Sequence, residues 1–111
     1  MVKPFIPNRG DIILLEFSTQ SGHEQGGKRP AIVLSPKKYN EKVGLMLACP
    51  ITTKQKGYPF EVTLHTTQKT TGVILADHIR SLDWRARKAQ FLEYSTPETI
   101  NSVLEKVSLL L

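Results

Sequence analysis

The sequence has a single cysteine, Cys49, so the chain cannot form an internal disulfide. Because no second cysteine accompanies it, a cysteine-based structural zinc site is not expected either. Cys49 ends the apolar run that starts at Leu45, a setting typical of a small buried hydrophobic residue. We therefore predict neither a metal nor a cofactor.

Long apolar segments are also missing. The N-terminus has no continuous apolar stretch like that of a secretory signal peptide, and no run approaches the length of a membrane-spanning helix. No internal repeat, linker or low-complexity segment divides the chain. We therefore expect one cytoplasmic domain over residues 1–111 with no membrane partner.

Acidic residues are in the minority, with 10 Asp and Glu against 15 Lys and Arg and a formal net charge of +5. A basic excess suits a polyanionic partner, and nucleic acid is the commonest one. Many small proteins carry a similar charge and bind nothing charged. Charge alone therefore leaves both readings open.

Short, β-prone apolar runs dominate the rest of the chain. Five of them are predicted strands: Ile12–Phe17, Pro30–Leu34, Leu45–Ile51, Phe60–Leu64 and Gly72–Ala76. Residues 77–84 are predicted to continue extended after a bend, and residues 37–42 to form one helical turn. Strands this short and this closely spaced, followed by one helix, indicate a small, strongly bent β-sheet or a partly open barrel.

The C-terminal segment has a different pattern. Thr96 is a good helix N-cap, Pro97 suits the first helical position, and Glu98 places an acid in the first turn. Apolar residues then recur at helical spacing, so Pro97–Leu110 is predicted to be an amphipathic helix. The predicted fold class is mainly β, a partly open barrel with one C-terminal helix.

The stretch from His23 to Pro36 leads from a charged, glycine-containing loop into a predicted strand. Residues 22–28 match a nucleotide-binding P-loop as far as its lysine, but Arg29 stands where a Ser or Thr would ligate magnesium. Pro30 and a β-branched run follow, whereas a P-loop opens a helix that holds the phosphates. ATP or GTP binding is therefore rejected.

Several pieces of the chain, in the same order, resemble the MazF/PemK family of toxin endoribonucleases. They are R-G-D-I-I-L-L-E-F, G-H-E-Q-G-G-K-R-P-A-I-V-L-S-P, A-C-P-I-T-T-K-Q-K-G-Y-P-F-E-V, G-V-I-L-A-D-H-I-R-S-L-D-W-R-A-R and the closing helix. The resemblance implies an SH3-like (CcdB/PemK-like) barrel and a homodimer. It also implies metal-independent cleavage of single-stranded RNA and inhibition by an antitoxin with an acidic C-terminal tail.

A different function on the same barrel is the alternative. A gyrase-poisoning relative of this fold binds a protein and cuts nothing, so the fold does not decide between an enzyme and a non-enzymatic toxin or binding module. The R-P-A motif together with the downstream T-T is what the resemblance ties to cleavage of mRNA.

Metal-free RNA cleavage uses the ribose 2′-OH as the nucleophile and leaves 2′,3′-cyclic phosphate and 5′-OH ends. It needs a base near that hydroxyl and a positively charged group next to the negative oxygens of the phosphorane. The resemblance assigns the charge to Arg29, whose guanidinium can grip two phosphate oxygens, and a phosphate contact to Thr52. Glu24 is the candidate base. Each residue also has a purely structural interpretation. Arg29 could form an ion pair at a strand edge, Thr52 could hydrogen-bond the local backbone, and Glu24 could be a solvated loop carboxylate.

The three histidines and Asp77 are weaker candidates for catalysis. His23 has a pKa suited to proton transfer, but nothing in the sequence brings it to His65 or His78, and each is read as solvated. Asp77 matches an acid that some branches of the family pair with an arginine two residues earlier. This chain has Leu75 there, so Asp77 is assigned to substrate binding.

Basic residues with interleaved aromatic ones are predicted to form an RNA groove, in which cations follow phosphates and rings stack on bases. The predicted substrate-binding residues are Lys28, Thr53, Lys54, Lys56, Tyr58, Asp77, Arg80, Arg85 and Arg87. Arg85 and Arg87 alternate with Ala86 on what is read as a strand, so they are predicted to share a face. Trp84 is read as a groove residue or as a core or dimer contact.

Overall fold

A computed structural model describes residues 5–16, 27–64 and 70–111 of the chain. Over these ranges the order of elements is β1 (Asp11–Glu16), β2 (Lys28–Val33), α1 (Lys37–Val43), β3 (Leu45–Thr52), β4 (Glu61–Thr63), β5 (Val73–Leu75), a 3₁₀ turn (Ala76–His78), β6 (Arg80–Asp83), β7 (Gln90–Tyr94) and α2 (Pro97–Ser108). The prediction of a mainly β chain with a C-terminal helix is confirmed.

The strands form a 7-stranded antiparallel sheet in the order β4-β5-β3-β2-β1-β7, with β6 paired to β3 off this path. β3 is central because it pairs with β2, with β6 through Leu45–Ala48, and with β5 through Ile51 and Thr52. A strand that changes neighbours along its length bends the sheet. The sheet does not close on itself, which agrees with a partly open SH3-like barrel.

Adjacent residues of the central strands contribute to two separate cores. Ile12 and Ile13 lie next to each other, yet Ile12 packs in the core beneath Val103 and Val107 of α2, and Ile13 packs in the other core with Leu82. Ala31 and Ile32, and likewise Ala48 and Cys49, divide in the same way. Because side chains alternate across a strand, both faces of the bent sheet are covered. This accounts for the nearly continuous apolar runs in the sequence.

The helix α2 begins as its sequence predicts. Thr96 Oγ1 accepts the N–H of Thr99 at 3.1 Å, and Pro97 occupies the first turn. The helix ends at Ser108, before the predicted end at Leu110, and the last residues continue as turns. Within the described part of the chain, no helix is both long and apolar enough to cross a membrane.

The segment after β6 corrects one prediction. Residues 84–88 form turns, not a strand, so Arg85 and Arg87 do not share a strand face. The cause is Asp83, whose Oδ1 accepts the backbone N–H groups of Arg85 at 3.1 Å and of Ala86 at 2.9 Å. An aspartate side chain that captures the amides following it favours a turn over an extended strand.

Trp84 belongs to the core. Its ring is 4 % exposed and packs in the cluster with Leu82 and Met46. Its Nε1–H donates to the backbone carbonyl of Asn40 at 3.0 Å. The indole is therefore covered and does not form part of an open stacking surface.

Candidate functional site

Arg29 and Thr52 lie at the same end of the β2–β3 ladder. The pair of this ladder nearest to them is Ala31 opposite Pro50. Arg29 lies two residues before Ala31 in β2, and Thr52 lies two residues after Pro50 in β3. The next position in this register would place Pro30 opposite Ile51, and Pro30 has no N–H to donate to β3, which weakens the ladder at this end. Arg29 is exposed and Thr52 is partly buried, so both side chains border solvent at this end of the sheet.

A cavity of about 400 Å³ opens beside Thr52. Basic, acidic, aromatic and apolar side chains line it: Thr52, Lys54, Lys56, Tyr58, Glu61, Leu75, Asp77 and His78. Thr52 Oγ1 accepts the backbone N–H of Lys54 at 3.1 Å, which orients the hydroxyl. Since that bond uses a lone pair, the hydroxyl proton stays available for a ligand oxygen.

Glu61 organises the loop that carries the two lysines. Its Oε2 accepts the N–H of Lys56 at 2.8 Å and its Oε1 accepts the N–H of Gly57 at 2.9 Å. Gly57 has a φ of 80°, a left-handed conformation that glycine adopts without strain. The carboxylate thus ties two consecutive amides to the start of β4. Glu61 lies within the predicted strand Phe60–Leu64, and nothing in the sequence pattern indicated this role.

Tyr58 and Asp77 form a direct contact across the cavity. The Tyr58 Oη–H donates to Asp77 Oδ1 at 2.6 Å. Because the phenol proton is held by this carboxylate, the pKa of Tyr58 is raised to about 12. His78 Nε2 lies 3.9 Å from the same Oδ1 atom. Asp77 is therefore an engaged acceptor within the pocket, at a place where the sequence predicted a substrate-binding acid.

Cys49 of β3 is fully buried. Its thiol contacts the carbonyl oxygen of Ala76, with 3.7 Å between Sγ and O. Burial raises the pKa of the Cys49 thiol to about 12, so it stays protonated and is a poor nucleophile. The prediction that Cys49 is a buried small hydrophobic residue is confirmed.

The remaining predicted binding residues lie outside this cavity. Arg80 and Arg87 line a second cavity of about 300 Å³ at the end of β1, together with Glu16. Lys28 is paired with Glu16, and Arg29 is paired with Leu15, so this second cavity is near the start of β2. The guanidinium of Arg85 lies over the ring of Trp84, with 4.8 Å between Cζ and the ring centroid.

The other predicted residues are Thr53 and those that lie outside the described ranges. Thr53 is exposed just after β3, and its carbonyl accepts the N–H of Gln55 at 3.1 Å. Glu24, His23 and His65 lie outside the described residues. Within residues 5–16, 27–64 and 70–111, no three His, Cys, Asp or Glu side chains are grouped so as to hold a metal ion.

Known proteins resemble this chain over nearly its whole length. Residues 8–111 match the model of the PemK-like, MazF-like toxin of type II toxin-antitoxin systems. The chain is 45% identical over 111 residues to the endoribonuclease toxin MazF of Escherichia coli (strain K12), covering 100% of this chain and 99% of that one. It is 38% identical to the endoribonuclease toxin ChpB of the same organism, covering 94% and 93%.

A solved structure agrees with these sequence matches. The MazE-MazF complex (Form-II) from Deinococcus radiodurans contains a chain with a TM-score of 0.92 and 50% identity, and 96% of each chain is covered. The matched residues include every strand described above, the residues that line the Thr52 cavity, and α2. This chain therefore belongs to the PemK-like, MazF-like family of type II toxins.

Proposed function

We propose that this chain is the toxin of a type II toxin–antitoxin pair and cleaves single-stranded RNA, mRNA in particular. Relatives 45% and 38% identical to it carry the name endoribonuclease toxin. The observation that carries the proposal is the placement of Arg29 and Thr52 at one end of the β2–β3 ladder, with a cavity lined by Lys54 and Lys56 beside Thr52. A non-enzymatic binding module is not favoured, because it would leave this arrangement unused.

The proposed reaction uses the substrate's own hydroxyl. The 2′-OH attacks the adjacent phosphorus and loses its proton to a base, while the bond from phosphorus to O5′ breaks and O5′ takes up a proton. The products are a 2′,3′-cyclic phosphate and a 5′-OH. No metal-activated water is needed in this scheme, because the nucleophile belongs to the RNA.

Each catalytic residue has a separate task. Arg29 neutralises the charge that builds up on the phosphorane oxygens, since a guanidinium stays charged and binds two oxygens at once. Thr52 donates a hydrogen bond from its hydroxyl to a phosphate oxygen, and the Lys54 amide orients that hydroxyl. Glu24 is proposed as the base on the family pattern alone.

The binding residues are proposed to guide the RNA past this point. Lys54 and Lys56 are exposed side chains that can follow the phosphates, and the Tyr58 ring offers a stacking face in the same cavity. Lys28, Arg80 and Arg87, at the far end of β1, extend the basic surface beyond Arg29. Thr53 and Arg85, which line neither cavity, are proposed to contact the RNA as well.

Partners and location follow from the same proposal. Solved structures that resemble this chain are MazE-MazF complexes, so we propose a cognate antitoxin whose acidic tail covers the toxin. We also propose a homodimer. A toxin that cuts mRNA meets its substrate in the cytoplasm, which is the proposed location.

Cleavage in the presence of EDTA tests the proposed function. A defined single-stranded RNA is expected to be cut, and end analysis should find 2′,3′-cyclic phosphate and 5′-OH termini. The matched control is the same RNA with 2′-deoxyribose at the cleaved position, which should stay intact because its nucleophile is missing. Cutting only after magnesium is added, or cutting of the deoxy control, would contradict the mechanism.

A further inference from the structure

Gly72 lies directly before β5, in contact with the end of β3. The next residue, Val73, is paired with Thr52, and the carbonyl of Gly72 accepts the N–H of Leu64 at 3.1 Å. Gly72 has a φ of 123°, a backbone conformation that residues other than glycine rarely adopt. The residue therefore connects the strand pair β4–β5 to the position of the proposed catalytic threonine.

The backbone of Thr52 approaches Gly72 too closely for the side chain of an L-residue to fit. A Cβ atom at Gly72 would lie 2.3 Å from the carbonyl oxygen of Thr52, 2.9 Å from its carbonyl carbon and 3.3 Å from the nitrogen of Thr53. All three atoms belong to one peptide group, which cannot rotate away as a flexible side chain can. The β-carbon of any L-residue at position 72 must displace this peptide.

Two other glycines with positive φ lack such a contact. Gly44 and Gly57 have φ values of 82° and 80°, but a Cβ atom at either one would meet nothing within 4 Å. Gly44 ends α1, away from the Thr52 cavity. Substitution at Gly44 therefore costs backbone strain alone, whereas substitution at Gly72 costs strain and moves the Thr52–Thr53 peptide.

We propose that Gly72 is a positioning residue for catalysis, acting by letting the Thr52–Thr53 peptide rest against the start of β5. This inference rests on the proposed role of Thr52 in RNA cleavage. The Thr52 hydroxyl is oriented by the Lys54 amide, which follows the same peptide, so a shift of that peptide moves both groups. A misplacement of about 1 Å in a catalytic group can cost about 100-fold in rate.

The test measures cleavage and binding separately. Gly72→Ala, Gly44→Ala, Thr52→Ala and the double variant at 52 and 72 are compared in single-turnover cleavage of one RNA. Binding is measured with the same RNA carrying 2′-deoxyribose at the cut position, which cannot be cleaved. Thermal unfolding of each variant sets an assay temperature at which all are folded.

Gly72→Ala is expected to slow cleavage by about 100-fold and to change the binding constant by less than about threefold. Gly44→Ala is expected to cleave within about threefold of the unmodified protein, because its substitution moves no catalytic group. In the double variant, the change at position 72 should add less than about threefold to the effect of Thr52→Ala, since residues that act as a unit are not additive.

Other outcomes overturn the proposal. If the two substitutions multiply, Gly72 does not act through Thr52. If binding weakens as much as cleavage, or Gly44→Ala is equally slow, the effect is a general loss of structure. If the unmodified protein cuts RNA but Thr52→Ala cuts as fast, the positioning inference fails while the proposed activity stands. If the unmodified protein cuts no RNA, the proposed function itself fails.

A second variant covers the case in which Gly72→Ala does not fold. A protein assembled by chemical ligation with D-alanine at position 72 suits the positive φ and places its methyl group on the other side of the α-carbon. We expect this protein to fold and to cleave within about threefold of the unmodified one. A folded D-alanine protein with strongly reduced cleavage would overturn the proposal.

Discussion

Arg29 is exposed near the start of β2. Arg29→Ala is therefore expected to keep the fold and to reduce RNA cleavage by about 100-fold or more, because the charge on the phosphorane is left without a partner. Arg29→Lys should restore the activity only in part, since an ammonium group lacks the planar fork. Single-turnover cleavage, with circular dichroism as a check on folding, measures both effects.

The control for Arg29 is another exposed cation away from the site. Lys38→Ala, on α1, removes one positive charge and should leave cleavage nearly unchanged. A folded Arg29→Ala protein that cuts at close to the normal rate would remove Arg29 from the mechanism. Equal losses in the two variants would point to net charge as the cause.

The Tyr58–Asp77 contact makes a prediction about pH. The hydrogen bond to Asp77 raises the pKa of Tyr58 to about 12, so it favours the protonated phenol. Its contribution to stability is therefore complete below the ordinary tyrosine pKa of about 10, and is lost as the pH rises through 12. Asp77→Asn should lower the pKa of Tyr58 toward 10, because a neutral amide replaces the anionic acceptor.

Alkaline titration of tyrosinate absorbance measures this pKa. Tyr58→Phe identifies which part of the signal belongs to Tyr58, since the chain has 3 tyrosines. Superimposable titration curves for the unmodified protein and Asp77→Asn would show that the contact does not hold the phenol proton.

At the scale of elements, the loop between β3 and β4 depends on Glu61. Glu61→Gln keeps the side-chain shape but turns one acceptor oxygen into an amide donor, so one of the N–H groups of Lys56 and Gly57 loses its partner. We expect faster hydrogen exchange at these two amides. RNA affinity should fall about fivefold, which corresponds to a loss of ~1 kcal/mol for one such hydrogen bond.

Hydrogen exchange followed by NMR, together with binding of the uncleavable RNA, tests the role of Glu61. Glu105→Gln on the exposed side of α2 is the matched control, because it changes the net charge equally and is remote from the loop. Unchanged exchange at both amides would mean that the carboxylate does not order the loop.

For the whole molecule, the open sheet and its exposed apolar residues favour self-association. β4 and β7 end the sheet order, and unpaired strand edges are commonly covered by a partner. Tyr39 and Leu47 are exposed and border an apolar cavity of about 360 Å³. We expect a homodimer of the 12.5 kDa chain at micromolar concentration. Sedimentation equilibrium that finds only the monomer mass would contradict this.

The net charge of +5 leads to a prediction about the antitoxin. An acidic peptide with a few apolar anchors should compete with RNA for the basic surface, and its association rate should fall as salt is added. Ordering a disordered tail costs entropy, so tight binding requires a large contact area. Competition is measured with Arg29→Ala, which prevents cutting.

Simultaneous binding of peptide and RNA, without mutual weakening, would show that the two sites do not overlap. An association rate that does not depend on salt would remove the electrostatic part of the inhibition scheme. An acidic peptide of scrambled sequence is the control for charge alone.

Most of the features that could be predicted from the sequence are local ones. Thr96, Pro97 and Glu98 mark the start of α2 because capping involves neighbours within one helical turn. The apolar runs around Ile12, Ile32 and Cys49 predict strands because burial on both faces leaves a continuous apolar pattern. The family membership was likewise readable from ordered motifs along the whole chain.

The contacts between residues distant in sequence depend on the tertiary structure. Tyr58 meets Asp77, Trp84 donates to Asn40, and Gly72 faces the Thr52 backbone, each across a separation in sequence that no periodic pattern encodes. The turn after Asp83 was missed because a side-chain hydrogen bond to following amides competes with strand propensity. The pocket lies where β3 has changed its partner from β6 to β5, and that change is set by the pairing of whole strands.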